Sequence, residues 1–423
     1  MKTDVLIIGA SQAGVQLAIS LREDGFTGTI TMVGEENHRP YQRPALSKEF
    51  LAGEIESEQL IFRSNDFWDE QRITLLKNTR ITEVDGAAKT ATTDAGEEIH
   101  YGRLVLATGA RARRLAAPGL ESNPAGVHYL RTADDALELK AVVPDAQNVV
   151  VTGGGFIGLE AACSLHGMGK AVTVVEAGPR LVGRAVSAEV AELFLEKHRE
   201  RGLDIRLETG LDSVEVDEQT NKITAVILSD GSRIPADLLL VGIGVIPNTE
   251  LAEQLGLKVD DGIVVDEYAR TSDGHTLAVG DCTIMPNPLP DHLKAPSVHG
   301  TPASDQVRIE SVNHAIEQAK TASQTVLGRH VRYESVPWFW SNQADLRLQI
   351  AGLKDGYTDT VTRSVPEKNK HTVLYYRDGK ILAADCINAP LDFMAVRQAL
   401  TVGKNIPADE AADPNTMLKK VIG

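Results

Sequence analysis

Apolar positions along this chain follow two rhythms: short continuous runs that end at glycine, and longer stretches with a helical period. The first run, Val5-Leu6-Ile7-Ile8, enters Gly9-Ala10-Ser11-Gln12-Ala13-Gly14, after which Val15, Ala18, Ile19 and Arg22 mark successive helical turns. An unbroken apolar run followed by a helical period predicts a buried parallel strand, a tight turn and a helix packed back on it. A second run over 29–33 ends at Gly34-Glu35-Glu36. The pattern returns at Asn148-Val149-Val150-Val151-Thr152, which leads into Gly153-Gly154-Gly155-Phe156-Ile157-Gly158-Leu159-Glu160. A helix is predicted from there through Ala161, Ala162 and Leu165, and a strand at Val172-Thr173-Val174-Val175 ends at Glu176.

Between and after these units the pattern is shorter. Strands are expected near Leu75-Leu76 and Ile81, then a hairpin over 90–93 and 97–101 turned by Asp94-Ala95-Gly96, then a separate buried strand over 104–109. The second unit continues with a helix over 187–201 and strands near 205–207, 214–216 and 223–228. It reaches a run from Leu238 through Gly242 and Gly244 to Asn248. Strands at 263–265 and 276–281 precede a Pro-rich loop (286–302) and a helix over 309–327. From about residue 328 short strands take over, including 338–343, 348–352 and 373–376, with a closing helix over 391–402. The fold class is α/β: two Rossmann-like dinucleotide-binding domains plus a C-terminal α+β domain.

The glycines give each repeat its chemistry. The first makes the tight turn, the last lets helix and strand pack closely, and the helix N-terminus offers free N–H groups to a pyrophosphate. In the first copy the middle glycine is Ser11; the second copy, Gly153, Gly155 and Gly158, is complete. Glu176 stands about 20 residues past those glycines, where an acid accepts from ribose hydroxyls. The loop 37–48 carries three cations and two prolines, either as a solvated turn or facing a cofactor's phosphates.

Composition narrows the reading. A net charge of −16 makes nucleic acid an unsuitable partner. No apolar run approaches membrane-span length, and the first strand starts close to Met1, so a cytoplasmic location is expected. Cys163, Cys282 and Cys386 are scattered without C-x-x-C, which points to a reducing compartment and away from zinc or a redox disulfide. Cys282 reads as a small packed residue, and His292, His299 and His314 as solvated rather than metal-binding; no metal is expected.

Two fingerprints, Ala107-Thr108-Gly109 and Val279-Gly280-Asp281 in one chain resemble the flavoprotein reductases of the glutathione-reductase fold. Arg43-Pro44-Ala45-Leu46-Ser47-Lys48, Arg308-Ile309-Glu310-Ser311-Val312 and Pro337-Trp338-Phe339-Trp340-Ser341 are similar to the bacterial FAD-dependent ferredoxin reductases. Those proteins feed Rieske-type oxygenases and cytochromes P450. The resemblance spans the whole chain and implies an FAD domain (1–107 and 245–327) split by an inserted NAD domain (108–244), with a C-terminal domain (328–423). It departs from the family at Ser11, where glycine is usual, and at Ala45, where proline is common.

The resemblance also implies roles. Gly9, Ser11 and Gly14 hold the FAD pyrophosphate, and Glu35 its adenosine ribose. Arg43 and Lys48 lie beside the pyrophosphate and ring, Ile81 meets the adenine end through its backbone, and Arg131 is a further FAD contact. Asp281 bonds the ribityl hydroxyls, and the Val312 N–H faces the ring's carbonyl edge. Gly153, Gly155, Ile157, Gly158, Glu176 and Gly244 line the NADH site. Arg180 and Arg184 leave some room for NADPH, although a carboxylate at Glu176 repels a 2′-phosphate. Lys48 and Glu160, which alone would read as surface charges, are expected to pair beside the nicotinamide. Trp338 and Trp340 share a face, either as an interdomain plug or with Trp340 bordering the flavin as a catalytic-site residue.

The implied activity is hydride transfer from NADH to FAD and single-electron transfer to a [2Fe–2S] ferredoxin. Residues 334–423 hold eleven Lys/Arg and eleven Asp/Glu, so a less acidic docking face near Trp340, including Arg347 and Lys370, is expected. An NADH oxidase or rubredoxin reductase on the same fold is the enzymatic alternative, and an NADH-sensing flavin-binding interaction protein the non-enzymatic one. Monomer and homodimer stay open.

Overall fold

The computed structural model describes residues 1–289 and 306–422. Most of the Pro-rich loop, with His292 and His299, lies outside the described residues.

Four parallel strands, Ile73–Leu76, Ile30–Val33, Lys2–Ile8 and Glu98–Leu106, form the centre of the first sheet, with Leu277–Ala278 also pairing to the last of them. Thr90–Thr93 and Ile81–Asp85 extend it antiparallel. Leu6, Ile7 and Val105 are fully buried, as strands covered on both faces require. The helices Gln12–Glu23 and Val312–Val326 pack together over this sheet through small residues, Ala18 against Ala315, Ala319 and Ala322 in one cluster.

The second sheet is wholly parallel, in the order Asp204–Arg206, Ala171–Val175, Asn148–Thr152, Leu238–Val241, Val127–Tyr129. The helices Phe156–Gly167 and Ala188–Glu200 belong to it, as does Ala133–Val142. That last helix was not anticipated from the sequence; its signal is the reciprocal cap between Thr132 and Asp135. Ala110–Ala112 and Val245–Pro247 form a two-stranded ribbon where the chain crosses between the first two sheets.

The third sheet is antiparallel, in the order Trp338–Gln343, Leu346–Gly352, Lys380–Ile387, Lys370–Arg377, Asp359–Val365, with the helix Pro390–Thr401 against it. Its apolar face and the second sheet's helices form one continuous core, with Phe194 and Leu195 in the same cluster as Leu374 and Tyr375. Polar ties cross the same seam. The Tyr375 hydroxyl accepts from Ser187 N at 3.0 Å and donates to Asp385, which is 1% exposed. Glu189 accepts from Thr362 at 2.6 Å and lies 3.3 Å from His371 Nε2.

Two expectations need correction. The second hairpin strand and the buried strand after it are one nine-residue strand, Glu98–Leu106. Gly102 permits this, because a Cβ there would stand 2.8 Å from Asp4 O on the neighbouring strand. His314, expected to be solvated, is fully buried, with Nδ1 3.2 Å from the Tyr333 hydroxyl, because its helix turns that face into the first unit.

Candidate functional site

Each glycine turn is closed by contacts only glycine allows. At Gly9 (φ +119°) a Cβ would stand 2.0 Å from Ala107 O, and at Gly14 1.9 Å from Gly9 O. The second copy repeats this: 2.3 Å from Gly242 O at Gly153, and 2.1 Å from Gly153 O at Gly158. Gly155 differs, with nothing within 4 Å of the missing Cβ. The space leaves room for a ligand group beside the turn.

Helix ends tell the same story. Ala133–Val142, Ala188–Glu200 and Val312–Val326 start with Thr132, Ser187 and Ser311, whose hydroxyls accept from the first turn. Gln12–Glu23 and Phe156–Gly167 have no side-chain cap and no acid in the first turn. Pro390–Thr401 is also uncapped but begins with proline, which has no N–H to satisfy. Free first-turn donors at both glycine turns fit a pyrophosphate at each. Ser11 caps nothing; its Oγ accepts from Arg43 Nε at 3.1 Å.

Around the first turn the anticipated residues divide. Arg43 pairs with Glu36, reaches Arg131 O at 2.7 Å and lies 2.9 Å from the Tyr41 hydroxyl, so its donors are largely used within the protein. Arg131 Nη2 is 3.2 Å from Asp281 Oδ2, which brings two expected FAD contacts together. Glu35 is exposed and 3.7 Å from Arg80, and Ile81 is buried at the start of its strand. Val312 opens its helix one residue after the Ser311 cap. In that first turn Asn313 Oδ1 and His314 Nε2 are buried without a partner among the described residues, which fits a polar group such as a flavin edge nearby.

Around the second turn, Glu176 Oε2 accepts from Gly154 N and Oε1 from Gly178 N, each at 2.7 Å. The acid is thereby fixed against the glycine loop. Ile157 is 46% exposed in the first helical turn. Gly244 has φ +98° with open space beside it, and Arg184 is exposed on a loop.

The helix that the second turn opens carries a buried carboxylate. Glu160, 3% exposed, sits one helical turn beyond Phe156. Lys48 Nζ is 2.7 Å from its Oε2, and the Ser47 hydroxyl donates to the same oxygen at 2.6 Å. Ser341 donates to Oε1 at 2.6 Å. A carboxylate out of water needs such partners, and these come from the first and third sheet units, the acid itself from the second. Ser341, and Gln343 behind it, were missed from the sequence. The available signal was strand alternation, which puts Phe339, Ser341 and Gln343 opposite the two tryptophans.

Trp338 and Trp340 lie side by side, tilted by 32° with centroids 5.4 Å apart, and Arg397 lies over Trp338 at 5.3 Å. The Arg397 helix also borders a groove of about 640 Å³ lined by Lys368, Lys370, Arg397 and Lys419. Leu391, Met394, Val402 and Met417 are among its exposed apolar residues. Among the described residues no group of His, Cys, Asp and Glu could hold a metal ion, and no helix is long and apolar enough to cross a membrane.

Comparison with known proteins agrees with this architecture. Residues 3–319 match the family model described as pyridine nucleotide-disulphide oxidoreductase, and 338–422 match that of the reductase C-terminal domain. The 5,5'-dehydrodivanillate O-demethylase ferredoxin reductase subunit of Sphingobium sp. is 39% identical over 99% of this chain and 98% of its own. Putidaredoxin reductase of Pseudomonas putida is 36% identical, covering 99% and 96%. Among solved structures, the ferredoxin reductase for the CYP199A2 system from Rhodopseudomonas palustris superposes with a TM-score of 0.91 at 37% identity, covering 99% and 100%. The covalent putidaredoxin reductase–putidaredoxin complex gives 0.92 at 36%, covering 99% and 98%. With two uncapped glycine turns, a bridging Lys48–Glu160 pair and these matches along its length, the chain belongs to the pyridine nucleotide-disulphide oxidoreductase family, among its ferredoxin reductases.

Proposed function

We propose that this protein takes hydride from NADH onto FAD and passes electrons singly to a [2Fe–2S] ferredoxin that serves a Rieske-type oxygenase or a cytochrome P450. The observation that carries the reading is Glu160, buried on the helix of the second glycine turn and held by Lys48 from the first unit. When bound, FAD accepts a hydride and returns its electrons one at a time. The protein supplies the rest. Gly9, Gly14 and the uncapped helix Gln12–Glu23 bind the FAD pyrophosphate, with Asp281 and Arg131 at the sugar chain. The Val312 N–H meets charge that builds up on the ring. Gly153, Gly155, Gly158 and Ile157 bind NADH, and Glu176 selects against a 2′-phosphate. Lys48 and Glu160 orient the nicotinamide, and Trp340 shields the ring from water. The FAD-binding part comprises 1–107 and 245–327, the NAD-binding part 108–244.

The cysteines favour an external acceptor. All three, Cys163, Cys282 and Cys386, are free and none pairs with another, so no internal thiol pair receives the electrons. The apolar groove rimmed by Lys368, Lys370, Arg397 and Lys419 suits an acidic partner. The test is NADH-dependent cytochrome c reduction by the purified protein, with and without added ferredoxin. A large ferredoxin-dependent gain is expected. No gain with several ferredoxins, with rapid oxygen consumption, overturns the reading in favour of an oxidase. A second acceptor is favoured by one observation: the rubredoxin-NAD(+) reductase of Pseudomonas putida is 36% identical over 91% of this chain. Rubredoxin in the same assay separates the two.

A further inference from the structure

The strand Trp338–Gln343 has two unlike faces. Trp338 and Trp340 meet on one. From the other, Phe339, Ser341 and Gln343 each meet a residue of the parallel-sheet unit. The Phe339 and Phe156 rings are 4.6 Å apart, Ser341 Oγ is 2.6 Å from Glu160 Oε1, and Gln343 Oε1 is 2.8 Å from His198 Nε2. Ser341, Gln343 and His198 are all 0% exposed. A seam that only joins two units is served by apolar pairs such as Phe156–Phe339. Three wholly buried polar side chains in a row need another reason.

The direction of each hydrogen bond is determined. Arg201 has no acceptor, so His198 Nδ1, 3.3 Å from Arg201 Nη1, must accept. The imidazole proton is then on Nε2 and is donated to Gln343 Oε1. The Gln343 amide therefore turns its Nε2 to Ser341 Oγ, at 3.2 Å. The Ser341 hydroxyl gives its only proton to Glu160 Oε1. Each donor in the series thus points towards Glu160, starting from Arg201, which pairs with Asp345 just beyond Gln343. The Cys163 thiol, 3.7 Å from the same His198 nitrogen, is consistent with that nitrogen accepting.

We propose that Gln343, acting through Ser341, is a positioning residue that fixes the Glu160 side chain against Lys48. The antiparallel unit thereby sets the geometry of the site where nicotinamide and flavin meet. The inference rests on the reading above that Glu160 lies at that site.

Four holoenzyme variants test it: Ser341→Ala, Gln343→Leu, Glu160→Gln and Glu189→Gln. Glu189→Gln weakens a different polar tie across the same seam. Flavin reduction by NADH, followed anaerobically by stopped flow, should slow by about tenfold in Ser341→Ala and Gln343→Leu. In the Glu160→Gln background neither should add a further loss. Glu189→Gln should leave the rate unchanged. Independently of turnover, ring 15N NMR should show His198 as the Nε2–H tautomer in the unmodified protein and in both Ser341→Ala and Gln343→Leu, since Arg201 holds Nδ1 as acceptor in all three, with the Nε2–H proton resonance moving upfield only in Gln343→Leu, where its acceptor is gone. Where Gln343→Leu does not fold, Ser341→Ala decides. A slow Glu160→Gln with normal rates in Ser341→Ala and Gln343→Leu overturns the proposal alone. So does an equal slowing in Glu189→Gln. A normal rate in Glu160→Gln overturns the underlying reading instead.

Discussion

Asp385 offers the sharpest test of how the antiparallel unit is held. It lies on the strand Lys380–Ile387, 1% exposed, with Oδ2 accepting from Tyr375 and Oδ1 without a partner among the described residues. Burial pushes its carboxyl up from the usual 3.8 to about 7, against the smaller opposing effects of Tyr375, Lys354 and the Ser187 N–H. The folded protein therefore holds a proton that the unfolded chain releases near pH 4. Stability from this group is fully present below the unfolded value and is lost as pH rises through the folded one. The window, pH 4 to 7, spans about three pKa units, or about 4 kcal/mol in full, of which about 2–3 kcal/mol falls between pH 5 and pH 8. Asp385→Asn keeps the size and the oxygen that accepts from Tyr375 but does not titrate. Any fixed cost of its new N–H groups is the same at every pH and cancels from the comparison. Thermal melts of both proteins at pH 5, 6, 7 and 8, at constant ionic strength, should show the variant gaining on the unmodified protein by several degrees as pH rises. A difference that stays flat or shrinks with pH would refute the assignment of Asp385 as a buried, protonated acid.

The glycine turns should fail separately: Gly14→Ala should abolish flavin loading, read as the ratio of 450 nm to 280 nm absorbance, whereas Gly158→Ala should keep the yellow colour and lose NADH affinity. Retained flavin in the first variant would contradict the close approach of Gly14 to Gly9 O, since a Cβ there would stand 1.9 Å away. NADH should be preferred over NADPH by at least about tenfold, about 1.4 kcal/mol, and Glu176→Ala should narrow that ratio in paired kinetic assays. Equal rates in the unmodified protein would remove Glu176 as the selector. Charge reversal of Lys370 and Arg397 should lower ferredoxin-driven turnover by about tenfold at low salt and leave NADH-driven ferricyanide reduction unchanged. An unchanged ferredoxin rate places docking elsewhere.

The two glycine turns were legible because each feature is local: a continuous apolar run, close-packing glycines and a helical period within about 15 residues. So was Glu176, an acid at the end of the following strand. Ser341 and Gln343 were not, because their significance depends on a contact with Glu160 and His198 in a distant part of the chain. Nor was the fate of Arg43. Sequence offers a cation near a phosphate turn, but Glu36 and Tyr41 occupy it, and only the folded loop brings them there. His314 shows the limit of composition. Histidine is intermediate in burial by type, and its burial here depends on which face of Val312–Val326 turns inward. The single strand Glu98–Leu106 was divided at Gly102, which sequence rules read as a break and which here allows close pairing.

Glu160 is completed by residues made at widely separated times. Lys48 precedes it by 112 positions and Ser341 follows it by 181. During synthesis the parallel sheet can close while this acid still lacks its Ser341 partner, and that deficit lasts until the final quarter of the chain has left the ribosome and docked. A truncated or mis-docked product would keep its glycine turns, and so its ability to bind nucleotide, but would present an incompletely held carboxylate beside them. On the role proposed for Glu160, docking of the antiparallel unit would therefore be a condition for drawing reducing power from NADH and not for binding the nucleotides.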